Sequence, residues 1–278
     1  MQIRAELRDK ELFIFDLDGV IYRASSPIPE AIKFLSLLKQ NDKKYVFLTN
    51  NSSKTREMFS HKLKAFNIEV DPSDIFTSAY LAADFLSTKF PGGSAFLIGE
   101  LGMYEIMKKA GFCILNEEDP EIIDMEILPP DIRADFVLVG WDRHVTYNKF
   151  RCAMMLIQKG AKFYATNTDT SFPGPDSFWP GAGALVAFLQ TALQHPPKKI
   201  FGKPDPSGIN LILRKFEIQK ERAVMIGDRL TTDILAGNRA RITTVAVETG
   251  IHKRDHLNHF SNDCTPTLFV SSLSELIF

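Results

Sequence analysis

Hydrophobic positions along this chain gather in short dense runs, separated by stretches in which they recur at helical spacing. The first run, Leu12-Phe13-Ile14-Phe15, shows no alternation, as expected of a strand covered on both faces. It leads into Asp16-Leu17-Asp18-Gly19. From 30 to 40, Ile32, Leu35 and Leu38 lay an apolar stripe along a helix, and Asn41 supplies a stop. A second buried run, Tyr45-Val46-Phe47-Leu48, ends in Thr49-Asn50-Asn51-Ser52-Ser53. Strand, helix and strand in such short order make a βαβ unit with parallel strands, so both polar clusters emerge at one carboxyl edge. Open α/β sheets bind ligands at that edge.

Helices are predicted over 54–66 and 78–90, and Pro91-Gly92-Gly93 then breaks the chain. A new series follows: strand 95–99, helix 104–110, strand 112–115, an acidic proline-bearing loop over 116–131, strand 136–140, helix 147–159 and strand 162–165. Next comes a long loop without predicted structure, from Thr166 to Pro180, and a helix opening at Gly181-Ala182-Gly183. Pro196-Pro197 reads as a hinge, 198–201 as a short strand, and Gly202-Lys203-Pro204-Asp205-Pro206 as a turn. Strand 223–226 ends in Gly227-Asp228-Arg229-Leu230-Thr231-Thr232-Asp233. Strand 244–247 precedes Thr249-Gly250, and Phe269-Val270 with 273–277 closes the fold. The polar strand ends cease before the middle series and resume after it. The expectation is therefore a parallel-sheet α/β core over 1–87 and 197–278, interrupted by an inserted α/β domain over 88–196.

The strand ends carry the candidate chemistry. Residues i and i+2 of an extended chain point the same way, so Asp16 and Asp18 start on one side. Gly19 lets the backbone turn sharply or approach a ligand. Two carboxylates this close repel unless a cation or a shared proton offsets them, and oxygen ligands suit a magnesium-like ion. The same residues also suit a plain Asp-Gly turn. Thr49, Asn50, Asn51 and the helix start behind them offer a hydroxyl, amides and free N–H groups for an anion. They would equally serve as a helix cap. Lys203 sits in a turn held by glycine and proline, and Asp228 and Asp233 again place acids at a strand's carboxyl end.

Three further features have two readings each. Gly181-Ala182-Gly183 would cradle an anion or let a helix start in a tight space. Phe172 and Trp179, in the long loop, would face a ligand or pack inside the domain. His252, His256 and His259 have helical spacing, but the charges between them suggest a solvated segment.

Composition narrows the class. Length, 278 residues, and 45% hydrophobic content allow two domains with substantial cores. A net charge of -1 gives no basic field for nucleic acid. No apolar run reaches the roughly 18–20 residues of a membrane helix, and the N-terminal residues are charged where a secretory segment would be apolar. The 3 cysteines, Cys113, Cys152 and Cys264, have neither disulfide-framework nor zinc spacing. A reducing compartment, the cytoplasm, is expected.

Taken together, Asp16 and Asp18, Thr49-Asn50, Lys203, and Asp228 with Asp233 make a set suited to phosphoryl transfer, in which positioning and charge neutralisation do most of the catalysis. In this order the chain resembles the haloacid dehalogenase-like (HAD) hydrolases. The likeness extends to their NagD-like branch (subfamily IIA), through Gly140-Trp141-Asp142-Arg143 and Thr146-Tyr147, then Ala165-Thr166-Asn167-Thr168-Asp169 up to Pro180-Gly181-Ala182-Gly183. The resemblance implies a Rossmann-like core with a C2-type α/β cap, and a Mg2+-dependent phosphatase acting on a small phosphorylated metabolite. It implies Asp16 as nucleophile through an aspartyl phosphate, and Asp18 as the acid and then base. Mg2+ would be held by Asp16, the backbone carbonyl of Asp18 and Asp228, with Asp233 close by. Thr49, Asn50 and Lys203 would bind the phosphate, with Asn51 beside them. The cap would contribute Asn167, Asp169, Phe172 and Trp179 to substrate choice. Asp18 argues for phosphate esters over carbon–halogen bonds. A homodimer through the cap is a further implication, with neither nucleic acid nor membrane as partner. Two other readings use the same residues: a phosphotransferase with an acceptor other than water, and a binding protein that keeps the fold without turnover.

Overall fold

The dense apolar runs form the strands of two parallel sheets, each flanked by the amphipathic helices that alternate with them in sequence. A computed structural model describes residues 2–174 and 176–278. They form two compact units, one of residues 2–49, 56–76 and 203–278, the other of residues 50–55 and 77–202.

The first unit is built on a six-stranded sheet. Its order is Leu268–Val270, Thr243–Val247, Ala223–Gly227, Leu12–Phe15, Lys44–Thr49 and Ile75–Thr77. Leu12–Phe15 lies at the centre and pairs in parallel with both neighbours. All four of its side chains are fully buried, as the unbroken apolar run requires. Phe13 and Phe15 share one face of the sheet, and Phe34 on the helix Pro29–Gln40 meets both edge-on, with ring centroids 6.0 and 6.2 Å away. Offset and edge-on ring contacts of this kind add to plain area burial.

Register fixes what happens at the carboxyl edge. Phe15 stands level with Phe47 and with Ile226. Asp16 is therefore level with Leu48 and Gly227, and Thr49 and Asp228 follow one residue further. The Asp16 N–H extends the ladder to the Ile226 carbonyl at 2.9 Å.

The second unit has its own five-stranded parallel sheet, ordered Lys199–Ile200, Lys162–Ala165, Phe136–Val139, Ser94–Ile98 and Cys113–Ile114. Its core gathers Phe96, Val137, Phe150, Leu156, Phe163 and Leu189.

The elements depart from the pattern reading in several places. The long loop after Thr166 contains an antiparallel hairpin, Ser171–Pro173 with Phe178–Pro180. Its strands are too short to register as alternation, and Pro175 of that loop lies outside the described residues. The edge strand Ile75–Thr77 is too short to show a pattern, and the helix Ser207–Lys215 was not expected although Ile209, Ile212 and Leu213 give it an apolar stripe. Residues 273–276 form a 3-10 turn. The expected boundary near 87 falls inside the helix Ser78–Lys89, which packs in the second unit. The chain enters that unit at a strand-to-helix junction where Thr77 caps the helix by accepting from the Tyr80 N–H at 3.1 Å. No proline or glycine marks it.

Phe34 is fully buried. Phe34→Ala is expected to cost about 3–5 kcal/mol of unfolding free energy in urea titrations, because it removes a ring wedged against two others. A loss below about 1 kcal/mol would mean that the aromatic cluster is not what holds the helix on the sheet.

Candidate active site

Four of the sequence-predicted residues converge inside the first unit. Asp16 follows the central strand and Asp228 its neighbour, while Lys203 begins the segment that returns to this unit. Asp233 comes back by another route. After Asp228 the chain makes a π-helical turn, Leu230–Ile234, before the helix Leu235–Ala240. The wide turn brings the Asp233 carboxylate back on the strand end, where its Oδ2 accepts from the backbone N–H groups of Asp228 and Arg229 at 3.1 and 2.9 Å. Such turns are rare and tend to mark functional places.

Lys203 joins these acids. Its Nζ donates to Asp16 Oδ1 at 2.5 Å and to the Leu48 carbonyl at 2.8 Å, and lies 2.6 Å from Asp233 Oδ1. Both Lys203 and Asp233 are almost wholly buried, at 3% and 1% exposure. A single ammonium thus bridges two carboxylates and a backbone carbonyl. Asp228 is held differently, its Oδ2 accepting from the Ile251 N–H at 2.7 Å. Gly19, at φ +84°, passes so close that a Cβ there would lie 2.7 Å from Asp228 Oδ2. A side chain at 19 would meet both backbone strain and that carboxylate.

Charge does not balance here. Carboxylate oxygens of Asp16, Asp228 and Asp233 lie within 4.8 Å of one another. Burial pushes the Asp16 carboxyl well above the usual range, Lys203 opposes this, and Asp233 and Asp228 push it further up. Asp228 is pushed up to about 7, chiefly by burial and by Asp233, against the pull of the Ile251 N–H. Burial pulls Lys203 down, but the carboxylates of Asp16 and Asp233 outweigh it and hold its pKa above the ordinary lysine value. With all three acids ionised, one ammonium would leave an excess of negative charge in a dry setting, which is why Asp16 and Asp228 hold their protons more tightly than usual. An all-oxygen donor set with that excess suits a hard divalent cation. Among the described residues, these acids are the group of three or more ligand-type side chains close enough to share an ion.

Asp18 and Thr49 complete the first-unit set. Thr49 is buried at the end of its strand. Asp18 Oδ2 accepts from the Tyr22 hydroxyl at 3.3 Å. Tyr22 is itself buried, and burial together with Asp18 raises its pKa well above the usual value.

The remaining expected residues belong to the second unit, and the structure gives each of them partners there. Asn50 Nδ2 donates to both Asp169 oxygens, at 3.1 and 3.2 Å, and the Asn50 carbonyl accepts from Asn167 Nδ2 at 2.7 Å and the Ser78 hydroxyl at 2.6 Å. Asn51 Oδ1 accepts from the N–H and hydroxyl of Ser53, a local turn ahead of the helix Arg56–Lys64. Phe172 lies against Trp141, with ring centroids 4.4 Å apart, and Trp141 Nε1 donates to the Pro180 carbonyl at 3.0 Å. Trp179 pairs with Phe172 across the hairpin and is 37% exposed. Gly181 and Gly183 resolve towards the tight-space reading, since a Cβ on either would collide with the carbonyl of Asp169 or Thr168.

The histidine trio falls on or near a 3-10 segment, Arg254–His259. His252 Nδ1 accepts from the Leu230 N–H at 2.9 Å and His256 Nδ1 from the Lys253 N–H at 3.1 Å. Sequence reasoning missed Tyr22, the Ile251 N–H and the Leu48 carbonyl. The latter two are backbone groups with no signature in composition, whereas Tyr22 stands four residues beyond Asp18.

Comparison with known proteins agrees with this architecture. Residues 13–113 match the family model of haloacid dehalogenase-like hydrolases, and residues 200–276 that of HAD-hydrolase-like proteins. The chain is 31% identical over 271 residues to an acid sugar phosphatase of Staphylococcus epidermidis, covering 98% of both proteins. A 4-nitrophenylphosphatase structure from Thermotoga maritima is 30% identical, with a TM-score of 0.86 and 98% of each chain covered. A glycerol phosphate phosphatase from Mycobacterium tuberculosis, solved in complex with magnesium, has a TM-score of 0.86 at 25% identity, covering 99% of this chain and 78% of that one. Among the described residues no helix is long and apolar enough to cross a membrane. With its Rossmann-like parallel-sheet core, inserted α/β cap and strand-end acids, this chain belongs to the haloacid dehalogenase-like hydrolases, in their NagD-like branch of phosphatases.

Proposed function

We propose that the chain hydrolyses a small phosphorylated metabolite as a Mg2+-dependent phosphatase, through a phosphoryl group carried on Asp16. The observation that carries this reading is the convergence of Asp16, Asp228 and Asp233 around Lys203 in a buried setting. It is supported by relatives named for sugar phosphate, nitrophenyl phosphate and glycerol phosphate hydrolysis. The donor set fits magnesium, because three carboxylates and one ammonium leave a charge deficit that a hard divalent cation offsets. Asp16, the backbone carbonyl of Asp18 and Asp228 would hold it, with Asp233 alongside. Bound there, the ion would neutralise negative charge on the phosphate and on the attacking carboxylate.

The protein's own groups do the rest. An Asp16 carboxylate oxygen attacks phosphorus, and the bond between phosphorus and the leaving-group oxygen breaks as Asp18 gives that oxygen a proton. Water then attacks the phosphoryl group, Asp18 takes a proton from it, and the bond to Asp16 breaks. Inorganic phosphate leaves, and the carboxylate is restored. Lys203 holds Asp16 in line and offsets charge as it builds on the phosphoryl oxygens, and Thr49 adds a hydroxyl at the adjacent strand end. Asp233 fixes Lys203 from one side and the backbone of Asp228 and Arg229 from the other. In the inserted unit, Asn167 and Asp169 act on Asn50, and any contribution of theirs to substrate choice runs through that contact.

Three outcomes are expected. Asp16→Asn abolishes Mg2+-dependent phosphate release from p-nitrophenyl phosphate while the melting temperature stays near that of the wild type; surviving turnover would mean another nucleophile. Lys203→Ala lowers kcat by about 100- to 1,000-fold and also destabilises the chain by about 3–5 kcal/mol, since it leaves buried carboxylates unpaired. A variant with a near-normal rate would take Lys203 out of the reaction. Chelation by EDTA stops turnover and added magnesium restores it, with a magnesium-dependent rise in melting temperature that Asp228→Asn removes. A protein whose rate and melting are both indifferent to EDTA would rule out the metal.

A further inference from the structure

Beyond the residues assigned above, the first unit holds a buried phenol aimed at one of them. Tyr22 is 1% exposed, and its hydroxyl donates to Asp18 Oδ2 at 3.3 Å. Its main chain is tied to the same turn: the Gly19 N–H donates to the Tyr22 carbonyl at 2.8 Å, and the Tyr22 N–H to the Leu17 carbonyl at 3.3 Å. Asp18 and Tyr22 also form an isolated backbone bridge. The ring has little freedom. Lys62 Nζ lies 3.3 Å from its centroid and donates to the Ala24 carbonyl at 3.0 Å, and the Phe66 ring packs 5.9 Å away. A cation over a phenol ring draws electron density from it, which strengthens the hydroxyl as a donor.

The geometry points to Tyr22 as a positioning residue for Asp18, its ring clamped under Lys62 so that the hydroxyl fixes the orientation of the Asp18 carboxyl. This rests on the reading of Asp18 as the proton donor. It explains why a polar side chain sits in a buried core otherwise built of aliphatic residues and phenylalanine, where Phe would fill the same space. Tyr22 touches neither the phosphate nor the nucleophile in this scheme. Its effect therefore scales with how much the departing oxygen needs a proton. p-Nitrophenolate leaves readily without one, whereas an alkoxide does not.

The test compares kcat/KM, which reports the step in which the leaving group departs, on p-nitrophenyl phosphate and on glycerol phosphate. Tyr22→Phe is expected to lose about tenfold on glycerol phosphate, the worth of one hydrogen bond to a charged group, and at most about twofold on p-nitrophenyl phosphate. Lys62→Met, which leaves the phenol in place, should show a smaller loss with the same preference, and it decides the matter should Tyr22→Phe fold poorly by circular dichroism. Equal losses on the two esters, or none, in the folded variant would overturn the assignment and leave Tyr22 a packing residue. Asp18→Asn serves as the reference. If its own loss is the same on both esters, the proton-donor reading of Asp18 fails, and the role of Tyr22 falls with it. If Asp18→Asn discriminates and Tyr22→Phe does not, only the role of Tyr22 falls.

Discussion

The site depends on one buried ammonium. Lys203 lies between the carboxylates of Asp16 and Asp233, in contact with both and with the Leu48 carbonyl. Without it, three acids within 4.8 Å would face one another in a low-dielectric setting, where like charges repel far more than in water. With it, two are paired and the third, Asp228, is held by a backbone N–H. Several elements of the first unit bring groups to this ammonium or beside it. Parallel register aligns Asp16 with Leu48, the strand Ala223–Gly227 delivers Asp228, and the π-helical turn returns Asp233.

That dependence also explains which parts of the site were legible in the sequence. Asp16, Asp18, Asp228 and Asp233 could be read because each follows a strand buried on both faces, and such strands announce themselves as unbroken apolar runs. Lys203 was legible through its company of glycine and proline, which fixes a turn. Thr49 was legible for the same reason as the acids, whereas the placing of Asn50 and Asn51 was not. A strand that ends in Thr-Asn-Asn says where the polar groups emerge, but it does not say what they meet. Asn50 meets Asp169 and Asn167, more than a hundred positions away in sequence, and only the folded chain shows it.

The misses in the fold have a related cause. Ile75–Thr77 and the hairpin from Ser171 to Pro180 are strands of three residues, too short for any periodicity to emerge from noise. Their existence is decided by the neighbours they pair with. The boundary at Thr77 is hidden because the turn there is made by a side-chain cap instead of by glycine or proline. Gly181 and Gly183 were ambiguous for the opposite reason. Glycine permits both a ligand cradle and a close backbone crossing, and the carbonyls of Thr168 and Asp169 decide for the crossing.

A buried ionic cluster is a poor way to stabilise a fold. Replacing such groups with apolar side chains of similar volume is often neutral or stabilising, because desolvation consumes most of the Coulombic gain. The first unit does not need the cluster for cohesion either: Phe13, Phe15, Phe34 and Phe47 form a separate aromatic core on one face of the central strand. The acids and the lysine therefore sit where the fold bears their cost without requiring them. That separation is what permits unbalanced acids to persist at the strand ends, an all-oxygen set of the kind that suits a hard divalent cation. A core that satisfied every charge internally would be more stable and would have nothing left to offer a phosphoryl group.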